Sequence, residues 1–280
     1  MVVVDSHCHA SPQWFEPVEP LVCQMDLNGV ERAVLTQVLG QFDNTYQEQC
    51  VTRYPGRFAS VGAVDAGRVD AADQVRHWAG RGMIGLRLRP EARAEGADPL
   101  AVWRAAADCG LVISCGGSAA NMLSPDFAQL VRTFPQMTFL LEQLGGWTRP
   151  DCDRSPETWS GILALARNAN ICLKVPTLGQ VAPRAIGQLL APDGLDAPPA
   201  IDPARGVVLL EALDRFGADR LLWGSDYPVV SSREGYANAL NWTRAVFAAR
   251  PPAEIDAIFG GNAQRLFFAP ALRGLEIFCR

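Results

Sequence analysis

Short apolar runs alternate with amphipathic stretches along most of this chain, and that alternation restricts its fold more than any other feature. The runs cover residues 2–9, 33–38, 58–65, 83–89, 111–116, 138–145, 171–177 and 220–226. Each has strand length and is bounded by polar or turn-forming residues. Between them, segments 71–81, 99–109, 125–134, 159–168 and 207–216 place apolar residues at helical spacing. Strands separated by helices run parallel, and a parallel sheet is covered by those helices. Eight such runs in 280 residues predict an α/β protein whose simplest closed form is a single (β/α)8 TIM barrel spanning 1–280. An open doubly wound sheet is the rival, but no Gly-x-Gly-x-x-Gly turn follows any run. The Pro-, Asp- and Ala-rich segment 191–205 reads as a loop insertion or flap within this domain.

Charge and cysteine usage narrow the setting. A net charge of -5 argues against nucleic acid or an anionic membrane as partner. No apolar run approaches the roughly 20 residues that cross a bilayer. The eight cysteines are scattered, with no Cys-x-x-Cys pair, which fits a reducing compartment. The expectation is a cytoplasmic protein with a small-molecule partner. The apolar stretches 266–268 and 275–278 either cap the barrel bottom or meet a second subunit in a homo-oligomer.

In such barrels the reactive groups come from the carboxyl ends of several strands. The first run ends in Asp5-Ser6-His7-Cys8-His9, and it holds two of the chain's three histidines. Residues two apart on a strand share a face, so Asp5, His7 and His9 are expected to project together. Other strand ends offer Arg87 and Arg89, Ser114 and Cys115, Glu142 and Gln143, Lys174, and Asp226. Asp226 follows Leu-Leu-Trp-Gly-Ser at the end of a buried run. It reads as a general base or metal ligand beside the histidines, or more blandly as a turn or helix-cap residue. Lys174 lies among apolar residues and requires a partner, for which Glu142 on the adjacent strand is the candidate. Cys115 reads as a small core residue, and His77 as a residue of the outer surface.

At this point the chain resembles the amidohydrolase-related TIM-barrel hydrolases that include sugar lactonases and pyrone-dicarboxylate lactonase. The resemblance rests on Asp5-Ser6-His7-Cys8-His9, Asp43-Asn44-Thr45-Tyr46, Gly85-Leu86-Arg87-Leu88, Leu144-Gly145, Lys174, the run from Asp219 to Pro228, and Gly261-Asn262-Ala263. It implies that His7 and His9 face Asp226, which activates water or shuttles a proton. It also places Arg87 where relatives hold a substrate carboxylate or hydroxyls, a task suited to its bidentate fork, the plainer reading being an ion pair at the barrel rim. Asn44 and Tyr46 match a loop that binds substrate in some relatives, and Trp147 follows the sixth strand, where it walls the pocket or packs at its rim.

The chain departs from that pattern in a telling place. Relatives usually carry Asp-His where this chain has Glu142-Gln143, and many metal-dependent members use a fifth-strand histidine where it has Ser114 and Cys115. Gln143 can orient or polarise a carbonyl but cannot carry a proton near neutral pH. Only His7, His9 and Asp226 remain as ligands for a metal, so the expectation is no cofactor, with a single divalent ion such as zinc as the alternative. The leading functional reading is a hydrolase that opens a lactone or related ester of a small, oxygen-rich or carboxylated substrate. In it Asp226 activates water, His7, His9 and Gln143 (or a metal) steady the oxyanion, and Arg87, Tyr46, Asn44, Lys174 and Trp147 contact the substrate. The rivals are a decarboxylase, hydratase or isomerase on the same barrel, and a barrel that binds ligand without catalysis.

Overall fold

The computed structural model describes residues 2–183 and 201–269. Its centre is one parallel sheet whose eight strands follow each other in chain order. They are β1 (Val3–Cys8), β2 (Val30–Thr36), β3 (Phe58–Gly62), β4 (Gly85–Leu88), β5 (Val112–Cys115), β6 (Phe139–Leu141), β7 (Ile171–Val175) and β8 (Leu221–Trp223). Between β8 and β1 a bridge pairs Cys8 with Tyr227, and this seam brings the sheet almost to closure as a (β/α)8 barrel.

All eight expected strands form, though every one but β2 is shorter than the apolar run that marks it, and β2 begins earlier, at Val30. The helices at 71–80, 101–108, 125–133 and 207–216 sit where apolar spacing predicts them. The helix expected over 159–168 begins earlier, at Pro156. There Ser155 caps it by accepting from the Thr158 amide, and proline suits the first turn because its missing amide hydrogen has no helical partner to lose. Ser124 and Pro125 start helix 125–133 in the same way. Helices at Val18–Leu27, Thr45–Arg53 and Tyr236–Val246 complete the outer layer without having been predicted from the sequence.

Two apolar regions follow from the alternation of strand residues. Outward-facing residues such as Leu86, Ile113, Leu141, Leu173 and Trp223 pack against the helices. Inward-facing Val4, Val34, Val61, Val112, Leu140, Cys172 and Leu222 fill the lower barrel with Ala263 and Phe267. Phe267, in the expected C-terminal apolar stretch, thus caps the barrel bottom. Two residues further along β5 and β7 the inward residues become Ser114 and Lys174, Arg87 faces inward beside them on β4, and Glu142 follows β6 directly. The interior is therefore an apolar plug overlaid by a charged layer at the carboxyl ends. Most of the predicted flap at 191–205 lies outside the described residues, as does 275–278. Of that flap, residues from Pro203 onward form a single turn of 3-10 helix.

Candidate active site

The seam between β1 and β8 assembles the first part of the site. Asp226 donates its backbone N–H to the His7 carbonyl (2.8 Å), and His9 donates its own to the Tyr227 carbonyl (2.7 Å). Gly224 permits this approach, because a Cβ there would stand 2.6 Å from the His7 Cβ. Asp226 is held at φ 59°, a left-handed conformation that aspartate adopts more readily than most residues. Its Oδ1 lies 3.5 Å from His9 Nε2 and 3.8 Å from His7 Nε2, and all three side chains are largely buried.

Asp5 does not join them, contrary to the expectation from strand alternation. The register of β1 against β2 shifts between Asp5 and Cys8, and such an irregularity interrupts the two-residue period. Asp5 is fully buried and accepts from the backbone of His7 (3.1 Å) and Ser225 (2.9 Å), from Ser225 Oγ (2.5 Å) and from Tyr236 Oη (3.0 Å). Burial pushes its carboxyl above the usual range, against four hydrogen bonds that favour the anion. Asp5 thus clamps β1 to the segment that carries Asp226.

The second part of the site is a chain of polar contacts across the barrel. Arg87 donates two parallel hydrogen bonds to Glu142 (2.9 and 2.6 Å) and a third to the Gln37 carbonyl (2.7 Å). Ser114 Oγ lies 2.6 Å from Glu142 Oε1 and 2.9 Å from Lys174 Nζ. Lys174 Nζ in turn lies 2.6 Å from His7 Nδ1. Glu142, the partner expected for Lys174, is thus joined to it through Ser114, because Arg87 holds the carboxylate. Three of the five N–H donors of Arg87 are thus taken within the protein, two of them in an ion pair with Glu142.

The charges follow from burial and these neighbours. Burial alone would raise the Glu142 carboxyl, but the charges of Arg87 and Lys174 hold it well below its ordinary value. Burial lowers Lys174 to about 8, with Glu142 opposing. Burial, and then the Lys174 charge, push His7 well below the usual imidazole range, so it is neutral near pH 7. On the other ring, His9 Nδ1 lies 2.6 Å from the Thr36 carbonyl, which can only accept, so Nδ1 carries the hydrogen and Nε2 offers a lone pair.

The other expected site residues have partners of their own. Asn44 is buried, with its carboxamide bound to both the amide and the carbonyl of Ala63 (2.9 Å each). Tyr46 accepts from the Val18 amide through its hydroxyl (2.9 Å) and packs against the helical layer. Trp147 lies 5.0 Å from the ring of Trp159 on helix 156–164. Gln143 stands in the turn after β6 at φ 52°, and its carbonyl accepts from Thr148. Among the described residues, no hydrogen bond joins its side chain to the histidines or Asp226. Cys115 faces the outer core, where burial pushes its thiol well up. One residue not expected from the sequence does reach the site. Arg233 places Nη1 3.8 Å from Asp226 Oδ2, and its contacts to Glu234 and Thr177 are also long, at 3.4 Å each. An arginine in a polar turn ordinarily reads as solvated, so nothing in the local sequence marked it.

Position alone suits a metal, since ligand atoms of His7, His9 and Asp226 lie within 4.8 Å of one another. The donor set does not fit. A lysine donating to His7 Nδ1 leaves the hydrogen of the neutral ring on Nε2, where an ion requires a lone pair.

Comparison with known proteins places this arrangement. A family model described as Amidohydrolase matches residues 4–269. No curated protein matches the chain. Among solved structures, an amidohydrolase from Burkholderia multivorans with bound zinc superposes with a TM-score of 0.74 at 20% identity, over 96% of this chain and 100% of that one. A candidate 2-pyrone-4,6-dicarboxylic acid hydrolase from Pseudomonas putida gives 0.72 at 20% identity, over 95% and 97%. A 5-carboxyvanillate decarboxylase from Sphingomonas paucimobilis gives 0.61 at 16% identity, over 95% and 98%. At such identities the likeness carries the fold.

Proposed function

Because the chain belongs to the amidohydrolase family, we propose that it hydrolyses a lactone or related ester of a small, carboxylated substrate without a resident metal. The observation that carries this reading is Asp226: a carboxylate fixed by backbone bonds beside two imidazoles, with its own oxygens at 3.5 Å or more from His7, His9 and Arg233. It is positioned and still available, as a general base must be.

In this mechanism Asp226 takes a proton from a water that His9 Nε2 orients by accepting its other hydrogen. The hydroxide attacks the substrate carbonyl and breaks its π bond. His7 Nε2–H donates to the resulting oxyanion. Collapse of the tetrahedral intermediate breaks the ring C–O bond, and the alkoxide takes the proton back from Asp226. The products are a hydroxy acid and the enzyme in its starting state. Arg233, loosely held at the mouth, pairs with a substrate carboxylate. The preference for an anion also follows from the charge of the layer, where Arg87, Lys174 and Arg233 face Glu142 and Asp226.

A panel of carboxylated and neutral lactones, followed by acid release, tests the proposal. Acid release with carboxylated members supports it. Carbon dioxide release from carboxylated aromatic substrates, with no lactone opened, favours decarboxylation on the same barrel. Binding without turnover across the panel favours a ligand-binding barrel.

A further inference from the structure

We infer that Lys174 is a positioning residue: the strap from Arg87 through Glu142 and Ser114 to Lys174 fixes His7 in the tautomer that presents Nε2–H to the reaction centre, opposite in kind to His9. This deepens the hydrolytic reading of the same site and rests on it.

The polarity of the strap can be followed bond by bond. Guanidinium has donors only, so Glu142 accepts both hydrogen bonds from Arg87. A carboxylate so paired also accepts from Ser114 Oγ, which uses the single hydroxyl hydrogen. The oxygen of Ser114 is then left to accept from Lys174. An ammonium has three donors and no acceptor, so the 2.6 Å contact to His7 Nδ1 requires a lone pair on that nitrogen. The ring hydrogen therefore sits on Nε2. That atom is buried and has no hydrogen-bond partner among the described residues, and it points toward Asp226 at 3.8 Å. A buried donor left unpaired is costly, which marks it as a group awaiting a ligand.

On the adjacent ring the Thr36 carbonyl enforces the reverse arrangement. Two imidazoles with centroids 4.9 Å apart thus offer one hydrogen and one lone pair to a shared space. A divalent ion requires two lone pairs there. A water beside a carbonyl oxygen supplies the complement, with a hydrogen toward His9 and an acceptor toward His7.

The chain has only three histidines, so a long-range proton–nitrogen NMR spectrum of the rings is easily assigned, with His77→Gln removing the exposed one. Near pH 7 the expected result is Nε2–H for His7 and Nδ1–H for His9. The same tautomer on both rings, or an imidazolium at His7, overturns the inference. Lys174→Met should release His7 into a mixture of tautomers and raise zinc affinity, measured by calorimetry, roughly tenfold or more. An unchanged His7 spectrum or unchanged zinc affinity in that variant overturns it as well. The wild-type spectrum decides the matter if the variant does not fold. Neither readout depends on turnover, so loss of the hydrolytic reading and loss of this one are told apart.

Discussion

The two sides of the barrel mouth are built on opposite terms. Across β4 to β7 the polar groups are in close contact: Arg87, Glu142, Ser114 and Lys174 are joined at 2.6 to 2.9 Å. Along the β1–β8 seam, Asp226 stands 3.5 Å from His9 and 3.8 Å from Arg233, close enough to interact and too far to be satisfied by either. The difference separates scaffold from chemistry. A saturated set of buried charges holds a shape, because removing any member strands the rest. A loosely paired set has hydrogen-bonding capacity left for substrate and water.

The sharpest way to break this comparison is Asp226→Asn. It should lower kcat about 10²- to 10⁴-fold, the range expected for removal of a general base, while leaving the urea midpoint nearly unchanged. Activity close to wild type would place the chemistry elsewhere. On the saturated side, Glu142→Gln should destabilise the fold by about 3–5 kcal/mol, since Arg87 and Lys174 would then lie buried without their carboxylate. A urea denaturation curve measures this, and a loss below about 1 kcal/mol would show that the strap is not structural.

Arg233→Met tests the loose side again, with a smaller effect. Loss of a charged hydrogen bond to a substrate carboxylate, about 1.5–3 kcal/mol, should raise KM for carboxylated lactones roughly 10- to 100-fold and leave neutral lactones untouched. Equal effects on both substrate types would remove Arg233 from substrate recognition. The last effect is a dependence on pH carried by Lys174, and its sign follows from linkage. Its folded value of about 8 lies below the ordinary lysine value near about 10.4, so the unfolded chain binds more protons between the two. This contribution makes stability rise with pH across that window, by at most about 1.4 kcal/mol per pH unit. The buried thiols of Cys8 and Cys115, pushed up by burial, act in the other direction as they ionise in the unfolded chain. The readout is therefore the difference between wild type and Lys174→Met, whose pH profile should lack the rising component.

Much of this architecture was legible in the chain. Each apolar run located a strand because parallel strands are buried on both faces and carry a nearly continuous apolar signal. Helix 45–53 was missed because only Gln47 and Cys50 among its residues are fully buried, which leaves little apolar periodicity to detect. His7, His9 and Asp226 were readable because strand ends in such a barrel converge. Pairing within the charged layer was not: Arg87 and Glu142 are 55 positions apart, and only the arrangement of the strands shows that the guanidinium is taken. Asp5 was misplaced for a similar reason, since a register shift leaves no trace in residue type. Arg233 arrives through a turn, where side-chain direction has no period to follow.

The seam has one more consequence. The backbone bonds that latch β8 to β1 involve the residues to which the proposed chemistry is assigned: Asp226 donates to His7, and His9 donates to the Tyr227 carbonyl. Closing the sheet and assembling the active site are thus a single event. On the proposed mechanism, a fluctuation that parts the seam would disarm the site at the same moment, and a substrate bridging His7, His9 and Asp226 would act as a clasp on the last joint of the fold. Hydrogen exchange at the amides of His9 and Asp226 should therefore slow when substrate binds, ahead of any change elsewhere in the sheet.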